Sequence, residues 1–196
     1  MKHFVILMTV CLVWNNNSFA SCNDKVFAST PTANFLFYQN GTVFDTVTGL
    51  MWERCPEGRT YNDNGTPTDF NDDICSGSTK TYVWKDALQV ASSSSFAGYS
   101  DWRVPNVKEL RSIIERACIF QTSTAGTDPA VNSIVFPGGS AITYTYWSST
   151  PSNSYSTTTG TYPNTWVVSF YDGTVYQIPK TSTQFIAKVR LVRGGQ

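Results

Sequence analysis

The chain has 196 residues with 14 basic and 14 acidic side chains, so its formal net charge is zero. This length fits a single domain preceded by a leader, and the lack of a basic excess argues against a nucleic-acid partner. Aromatic residues are as common as charged ones, at 14% each, which favours a β-rich extracellular domain over a cytosolic enzyme.

The first twenty residues have the pattern of a signal peptide. A basic start at Lys2 and His3 precedes an apolar run over residues 4–14, which is too short to span a bilayer. Small residues at 18 and 20 suit a cleavage site after Ala20. We expect residues 21–196 to form one domain, without a transmembrane segment, that is secreted, at the cell surface or in the periplasm of a bacterium. A retained membrane anchor and lipidation at Cys22 are the alternatives.

Cleavage would remove Cys11 and leave an even set of cysteines, namely Cys22, Cys55, Cys75 and Cys118. In an oxidising compartment four cysteines favour two disulfides, for which three pairings exist. We predict Cys55–Cys75 and Cys22–Cys118, the first of which would close a stretch rich in Asn, Asp and Gly.

The same cleavage removes His3, which is the only histidine. Histidine-activated nucleophiles, histidine-ligated zinc and histidine general bases are then excluded, so we predict no enzyme activity and no cofactor. A cluster of hard oxygen ligands raises calcium as an alternative, but its spacing does not match an EF-hand loop, and we predict a solvated loop without metal. Its members are Asp63, Asn64, Asp69, Asn71, Asp72 and Asp73.

Along the chain, the Asn40-Gly41 dipeptide predicts a hairpin between residues 35–38 and 42–45. A second turn at residues 48–49 leads into a strand over residues 50–52. Residues 56–80 form a loop insertion because they are rich in turn residues.

Two helices follow. Trp84, Leu88 and Ala91 recur at helical spacing. Asn106 and Glu109 form a capping-box pattern at the start of the second helix, whose apolar face continues to residue 117 and whose polar face includes Glu115.

The remainder is predicted to be β-structure and loops. Strands are expected over residues 144–148, 166–171 and 174–178, with a hairpin turn at Asp172-Gly173. A last strand over residues 185–193 alternates, so that Lys188 and Arg190 share its outer face.

The order of several motifs resembles the Lcl C-terminal domain family over about residues 35–194. The motifs are Thr48-Gly49-Leu50-Met51-Trp52, Trp84-Lys85-Asp86-Ala87, Gly98 to Pro105 with Glu109-Leu110, Tyr146 to Thr150, Trp166 to Phe170 with Asp172-Gly173, and Val189 to Arg193. The family is similar in pattern to the C-type-lectin-like fold, in the branch that includes formylglycine-generating enzymes.

The resemblance implies an α+β fold in which two helices pack on a twisted antiparallel β core with long loops. It also implies an exported bacterial protein. The family's namesake is a domain of a collagen-like adhesin that binds sulfated glycans and forms trimers. This chain has no Gly-X-Y repeat, so assembly through a collagen stalk does not carry over and the oligomeric state stays open. The copper chemistry of the enzyme branch needs a cysteine pair in the C-terminal part of the fold, and no cysteine follows Cys118. The iron chemistry needs histidine ligands, which the predicted mature chain lacks.

These observations favour a non-catalytic, adhesin-like binding domain whose ligand is a glycan, including sulfated ones. Sugars pack their C–H faces on aromatic rings and offer hydroxyls to amides and carboxylates, and residues of these types cluster near the C-terminus, where Lys188 and Arg190 could add an anion-binding edge. The predicted contacts are Tyr155, Tyr162, Asn164, Trp166, Tyr171, Asp172, Tyr176, Lys188 and Arg190. A core position for Trp166 and a buried structural role for Arg190 are left open. A surface-protein ligand, or a structural role in a surface assembly, is the alternative function.

Overall fold

The computed structural model describes residues 25–118, 130–137, 145–155, 157, 163–181 and 186–194. Within these ranges the chain forms two α-helices and nine β-strands, which confirms the α+β class. The strands are β1 (Phe35–Phe37), β2 (Thr42–Asp45), β3 (Leu50–Glu53), β4 (Arg59–Asn62), β5 (Ile74–Gly77), β6 (Thr145–Pro151), β7 (Asn164–Ser169), β8 (Val175–Pro179) and β9 (Val192–Gly194), and the helices are α1 (Trp84–Ser92) and α2 (Val107–Ser112).

The strands form three antiparallel sheets, in the orders β1-β2-β3-β9, β4-β5 and β6-β7-β8. The predicted hairpin at Asn40-Gly41 is confirmed as β1–β2. Gly41 has φ +79°, and a Cβ there would lie 2.8 Å from Cγ of Tyr61. Only glycine therefore allows the turn to pack this closely against β4.

Both predicted helices are present, but the second is shorter than expected. Asn106 and Glu109 form the capping box, while the helix ends at Ser112 and a 3-10 turn follows at Arg116–Cys118. The expectation that Glu115 lies on an outer polar face is wrong, because it is only 4% exposed. Its carboxylate accepts hydrogen bonds from the backbone N–H groups of Ser29 at 2.9 Å and Thr30 at 2.8 Å. These contacts tie the start of the described chain to the end of the helical region.

A helix packs on part of each face of the β6-β7-β8 sheet. Neighbouring strand residues point to opposite faces, and Val167 and Val168 belong to two different hydrophobic clusters. Helix α2, with Leu110, lies over the face of Val168, and helix α1, with Ala87, lies over the face of Val167. This double packing makes the sheet the rigid centre from which the surface loops extend.

The Cys55–Cys75 disulfide is present, and its two cysteines are 20 positions apart along the chain. Cys118 is also disulfide-bonded, and its predicted partner Cys22 lies outside the described residues, as does the predicted signal peptide. Within the described ranges, neither helix has the length and apolar composition needed to cross a bilayer.

Candidate functional site

The predicted aromatic contacts do not all lie on one surface. In the β7–β8 register Trp166 is paired with Gln177, whereas Tyr176 is paired with Val167. Because side chains alternate along a strand, Trp166 and Tyr176 point to opposite faces of the sheet. Tyr162 lies outside the described residues. The structure therefore divides the predicted ligand face into two sides.

On the side of Trp166, an amide and two serine hydroxyls form a compact polar group. Oε1 of Gln177 accepts hydrogen bonds from Oγ of Ser152 at 2.6 Å and Oγ of Ser154 at 2.8 Å. The strand alternation also places Asn164 on this side. Trp166 is half-buried and the neighbouring Tyr155 is 57% exposed. We call Ser154, Trp166 and Gln177 the hairpin surface, and Ser152, which is only 2% exposed, holds Gln177 from within the fold.

The other predicted residues of the hairpin belong to its turn and its opposite side. Oδ1 of Asp172 accepts hydrogen bonds from N of Thr174 at 3.1 Å and from its Oγ1 at 2.7 Å. Partial burial works against ionisation of Asp172, but these hydrogen bonds hold the pKa of its carboxyl below the ordinary value. Asp172 thus stabilises the turn, in which Tyr171 is 55% exposed. On the opposite side of the sheet from Trp166, the Tyr176 hydroxyl lies 2.7 Å from that of Thr145.

The predicted basic edge is not on the surface. Lys188 is 7% exposed and Arg190 is 2% exposed, so the expectation that they share an outer face is wrong. Nη1 of Arg190 donates to the carbonyl oxygen of Glu53 at 3.0 Å, and its guanidinium lies 4.8 Å from the Phe136 ring centroid. Burial lowers the pKa of both cations. The buried structural role left open for Arg190 is the one that the structure shows.

Sequence reasoning missed a surface cleft of about 530 Å³ between the β1–β2 turn and the 67–70 segment. The rings of Phe37 and Phe70 stack within it, with centroids 4.8 Å apart, and Nε2 of Gln39 donates to the carbonyl of Pro67 at 3.4 Å across it. The lining residues are Phe37, Tyr38, Gln39, Asn40, Pro67, Thr68 and Phe70. The Asn-Gly turn and the Pro67 segment each give a local signal in the sequence, but nothing there indicates that they meet.

Arg54 supports this cleft from below. Its side chain is 0% exposed and pairs with Asp73, and its guanidinium carbon lies 4.9 Å from the ring centroid of Phe37 and 5.7 Å from that of Phe70. It also donates to the carbonyl oxygen of Ile134 at 2.7 Å. One buried cation therefore holds both aromatic walls of the cleft.

The acidic loop residues use their oxygens in local turns. Asp69 accepts from N of Asn71 at 3.0 Å, and Asp72 accepts from Oγ1 of Thr66 at 2.7 Å. Asp73 is buried against Arg54. Within the described ranges, no three His, Cys, Asp or Glu side chains are grouped closely enough to hold a metal ion.

A second buried carboxyl group lies near the end of β3. Glu53 is 5% exposed, and burial, reinforced by nearby Glu57 and countered in part by Arg190, raises its pKa to about 8. Burial likewise raises the pKa of Glu57. Neither carboxyl borders the cleft or the hairpin surface, so these groups bear on stability rather than on ligand contact.

Comparison with known proteins finds one family. The model of the Lcl C-terminal domain matches residues 41–193, which lies within the extent predicted from the motifs. A comparison with curated proteins finds no match. Because the family model covers well over half of the chain, the protein belongs to the Lcl C-terminal domain family.

Proposed function

We propose that the protein is an exported bacterial envelope or surface domain that binds glycans without catalysing a reaction, and that its fold is C-type-lectin-like. Membership of the Lcl C-terminal domain family and the Cys55–Cys75 disulfide support an extracytoplasmic domain. The position of the only histidine, at residue 3, supports a binding role over a catalytic one.

The observation that carries the proposal is the hairpin surface. Trp166 is half-buried, so its ring is held by the fold while part of it stays accessible. Gln177 is the cross-strand partner of Trp166. Its amide oxygen accepts hydrogen bonds from the hydroxyls of Ser152 and Ser154. An indole ring beside fixed amide and hydroxyl groups suits a sugar, which presents an apolar C–H face and a polar rim. Since the polar groups are already ordered, binding loses little conformational entropy.

A protein ligand is the second candidate. Tyr155, Tyr171 and Tyr176 are each at least 40% exposed, and Tyr176 lies on the side of the sheet opposite Trp166. This spread is wider than one sugar ring covers, and exposed tyrosines beside serines are typical of protein-binding loops.

The proposal is tested by binding the purified protein to an array of neutral and sulfated glycans, with calcium and with chelator. Trp166→Ala should weaken binding about tenfold, as expected for an aromatic anchor, and Gln177→Ala should weaken it less. Tyr176→Ala, on the opposite face, is the matched control and should leave binding unchanged.

Equal losses in Trp166→Ala and Tyr176→Ala would favour the protein-binding alternative, as would an array without any signal from folded protein. Loss of binding in chelator would make the acidic loop a calcium site, against our expectation.

A further inference from the structure

We propose that the cleft between the β1–β2 turn and the 67–70 segment is a second carbohydrate site, which takes a neutral sugar ring and discriminates against sulfated glycans. It is separate from the hairpin surface and shares no residue with it.

The cleft has the size and chemistry of a ligand site. Its volume of about 530 Å³ falls within the range of about 300–1,000 Å³ that is usual for small-molecule pockets. Phe37 and Phe70 are both partly exposed and form an apolar wall, while Tyr38 is 41% exposed. Because Phe37 and Phe70 stack on each other and contact Arg54, the ring offered to the C–H face of a sugar is that of Tyr38, with the two phenylalanines as its apolar support.

Polar groups at the rim match sugar hydroxyls, which both donate and accept. Oδ1 of Asn40 is occupied, because it accepts from N of Thr42 at 3.1 Å and from its Oγ1 at 2.7 Å. These bonds fix the amide. Its NH₂ group has no partner among the described residues and remains available as a donor. Gln39 uses its NH₂ group toward Pro67, which leaves its Oε1 as an acceptor.

The walls are preformed. Arg54 contacts the rings of Phe37 and Phe70 and is locked by Asp73 and by the carbonyl oxygen of Ile134. The loop that carries Phe70 is also closed by the Cys55–Cys75 disulfide. A site whose two sides are fixed before binding needs little reorganisation, which favours affinity for a small ligand.

Charge decides the ligand class. None of the seven lining residues is charged, and residues 60–79 contain four aspartates and no Lys or Arg. Asp73 is neutralised by the buried Arg54, so Asp63, Asp69 and Asp72 leave a negative margin, and Asp69 directly precedes Phe70. A sulfate group would meet like charges without a cation to receive it. A neutral sugar meets no such penalty.

The experiment is calorimetric titration of the purified protein with neutral oligosaccharides built from glucose, galactose, mannose and N-acetylglucosamine, and with a sulfated counterpart of each. Tyr38→Ala should weaken binding of the neutral ligand about tenfold, and Gln39→Ala should weaken it severalfold. Leu36→Ala is the matched control, because Leu36 is exposed in β1, two positions before Tyr38, but does not line the cleft.

The effect of charge on ligand preference is measured separately, by varying salt and by removing one carboxylate. The preference for the neutral ligand should be largest at 10 mM salt and fall at 500 mM, because salt screens like-charge repulsion. Asp69→Asn should strengthen binding of the sulfated ligand about twofold at low salt, the effect of one charge at about 10 Å in water, and leave the neutral ligand unchanged.

Three outcomes would overturn the proposal: no binding of any neutral oligosaccharide by folded protein, tighter binding of the sulfated form by Trp166→Ala, in which the hairpin surface no longer contributes, or binding that is lost in Trp166→Ala but kept in Tyr38→Ala. The last outcome would support the hairpin surface while rejecting the cleft. Binding lost in Tyr38→Ala but kept in Trp166→Ala would do the reverse, so the two proposals fail separately.

Discussion

Replacing Glu53 with glutamine should abolish most of the pH dependence of stability between pH 5 and pH 8. Glu53 is 5% exposed, and its Oε2 has no hydrogen-bond partner in the part of the chain that the structure describes. Burial is the main cause that raises its pKa from 4.5 to about 8. The folded protein therefore keeps this carboxyl protonated at pH values where the unfolded chain releases the proton.

Proton linkage determines whether stability rises or falls with pH. Below pH 4.5 both states hold the proton, and the contribution of Glu53 to stability is fully present. As pH rises from 4.5 to about 8, the unfolded state ionises first and its free energy falls relative to that of the folded state, so the protein loses stability. A pKa difference between 4.5 and about 8 corresponds to a total loss of about 4–5 kcal/mol, and above pH 8 the loss stops growing.

The assay is urea unfolding followed by tryptophan fluorescence at pH 5, 6.5 and 8. The parent protein should lose several kcal/mol across this series, whereas Glu53→Gln, which mimics the protonated acid, should retain only the smaller slope due to Glu57, whose pKa is also raised. Asp86→Asn, at an exposed carboxylate, is the control and should behave like the parent.

Glu57 has a raised pKa and adds to the slope, but the carboxyl groups with a lowered pKa do not obscure this range. Hydrogen bonds to Arg193 lower the pKa of Asp101, so the stability from that ion pair is lost only as pH falls below the ordinary range for aspartate. A parent protein whose stability is constant or rises from pH 5 to 8, in parallel with Glu53→Gln, would refute the reasoning.

Three further changes should each lower the free energy of unfolding, measured by urea titration at pH 6. Arg54→Met should cost about 3–5 kcal/mol, because it leaves the buried carboxylate of Asp73 unpaired; a loss below about 1 kcal/mol would contradict the supporting role of Arg54. The double change Cys55→Ser and Cys75→Ser should cost about 3 kcal/mol by opening the loop between the two cysteines, and addition of reductant to the parent should cost at least as much, because it also opens the disulfide of Cys118. Asn106→Ala should cost about 1 kcal/mol through loss of the cap on α2, and Asn106→Ser should restore most of that loss.

Features set by neighbouring residues were predictable from the sequence. The Asn40-Gly41 turn, the Asn106 capping box and the Cys55–Cys75 bond all appear as expected. Each depends on interactions over a few residues, or on a chemical rule that does not require knowledge of the fold.

Buried charges were not predictable in the same way. Arg190 and Glu115 were placed on outer faces because charged residues are rarely fully buried. The carbonyl that receives Arg190 lies 137 positions away along the chain, and the amides that bind Glu115 lie 85 and 86 positions away. Periodicity describes one element at a time and contains no information about such partners.

The candidate sites, too, were predictable where they depend on local sequence and not where they depend on contacts between distant residues. Of the predicted contacts, Trp166 lies half-buried beside a polar group, whose serines and glutamine were not predicted as contacts, and strand register moved Tyr176 to the other face. The cleft was missed because its two sides are about thirty residues apart and are held by Arg54, a position that no pattern in the sequence distinguishes.

Three of the buried charged residues, Arg54, Glu115 and Arg190, share one physical consequence for function. Arg54 joins the disulfide loop to residues 134–135, Glu115 joins residues 29–30 to the helical region, and Arg190 joins the last segment to the end of β3. Each uses hydrogen bonds to backbone groups, which do not depend on the side chains that the loops present to solvent. The loops can therefore keep their shape while their exposed residues change. A binding domain built in this way can acquire a new ligand preference through substitutions such as those at Tyr38 or Trp166, without loss of the fold that positions them.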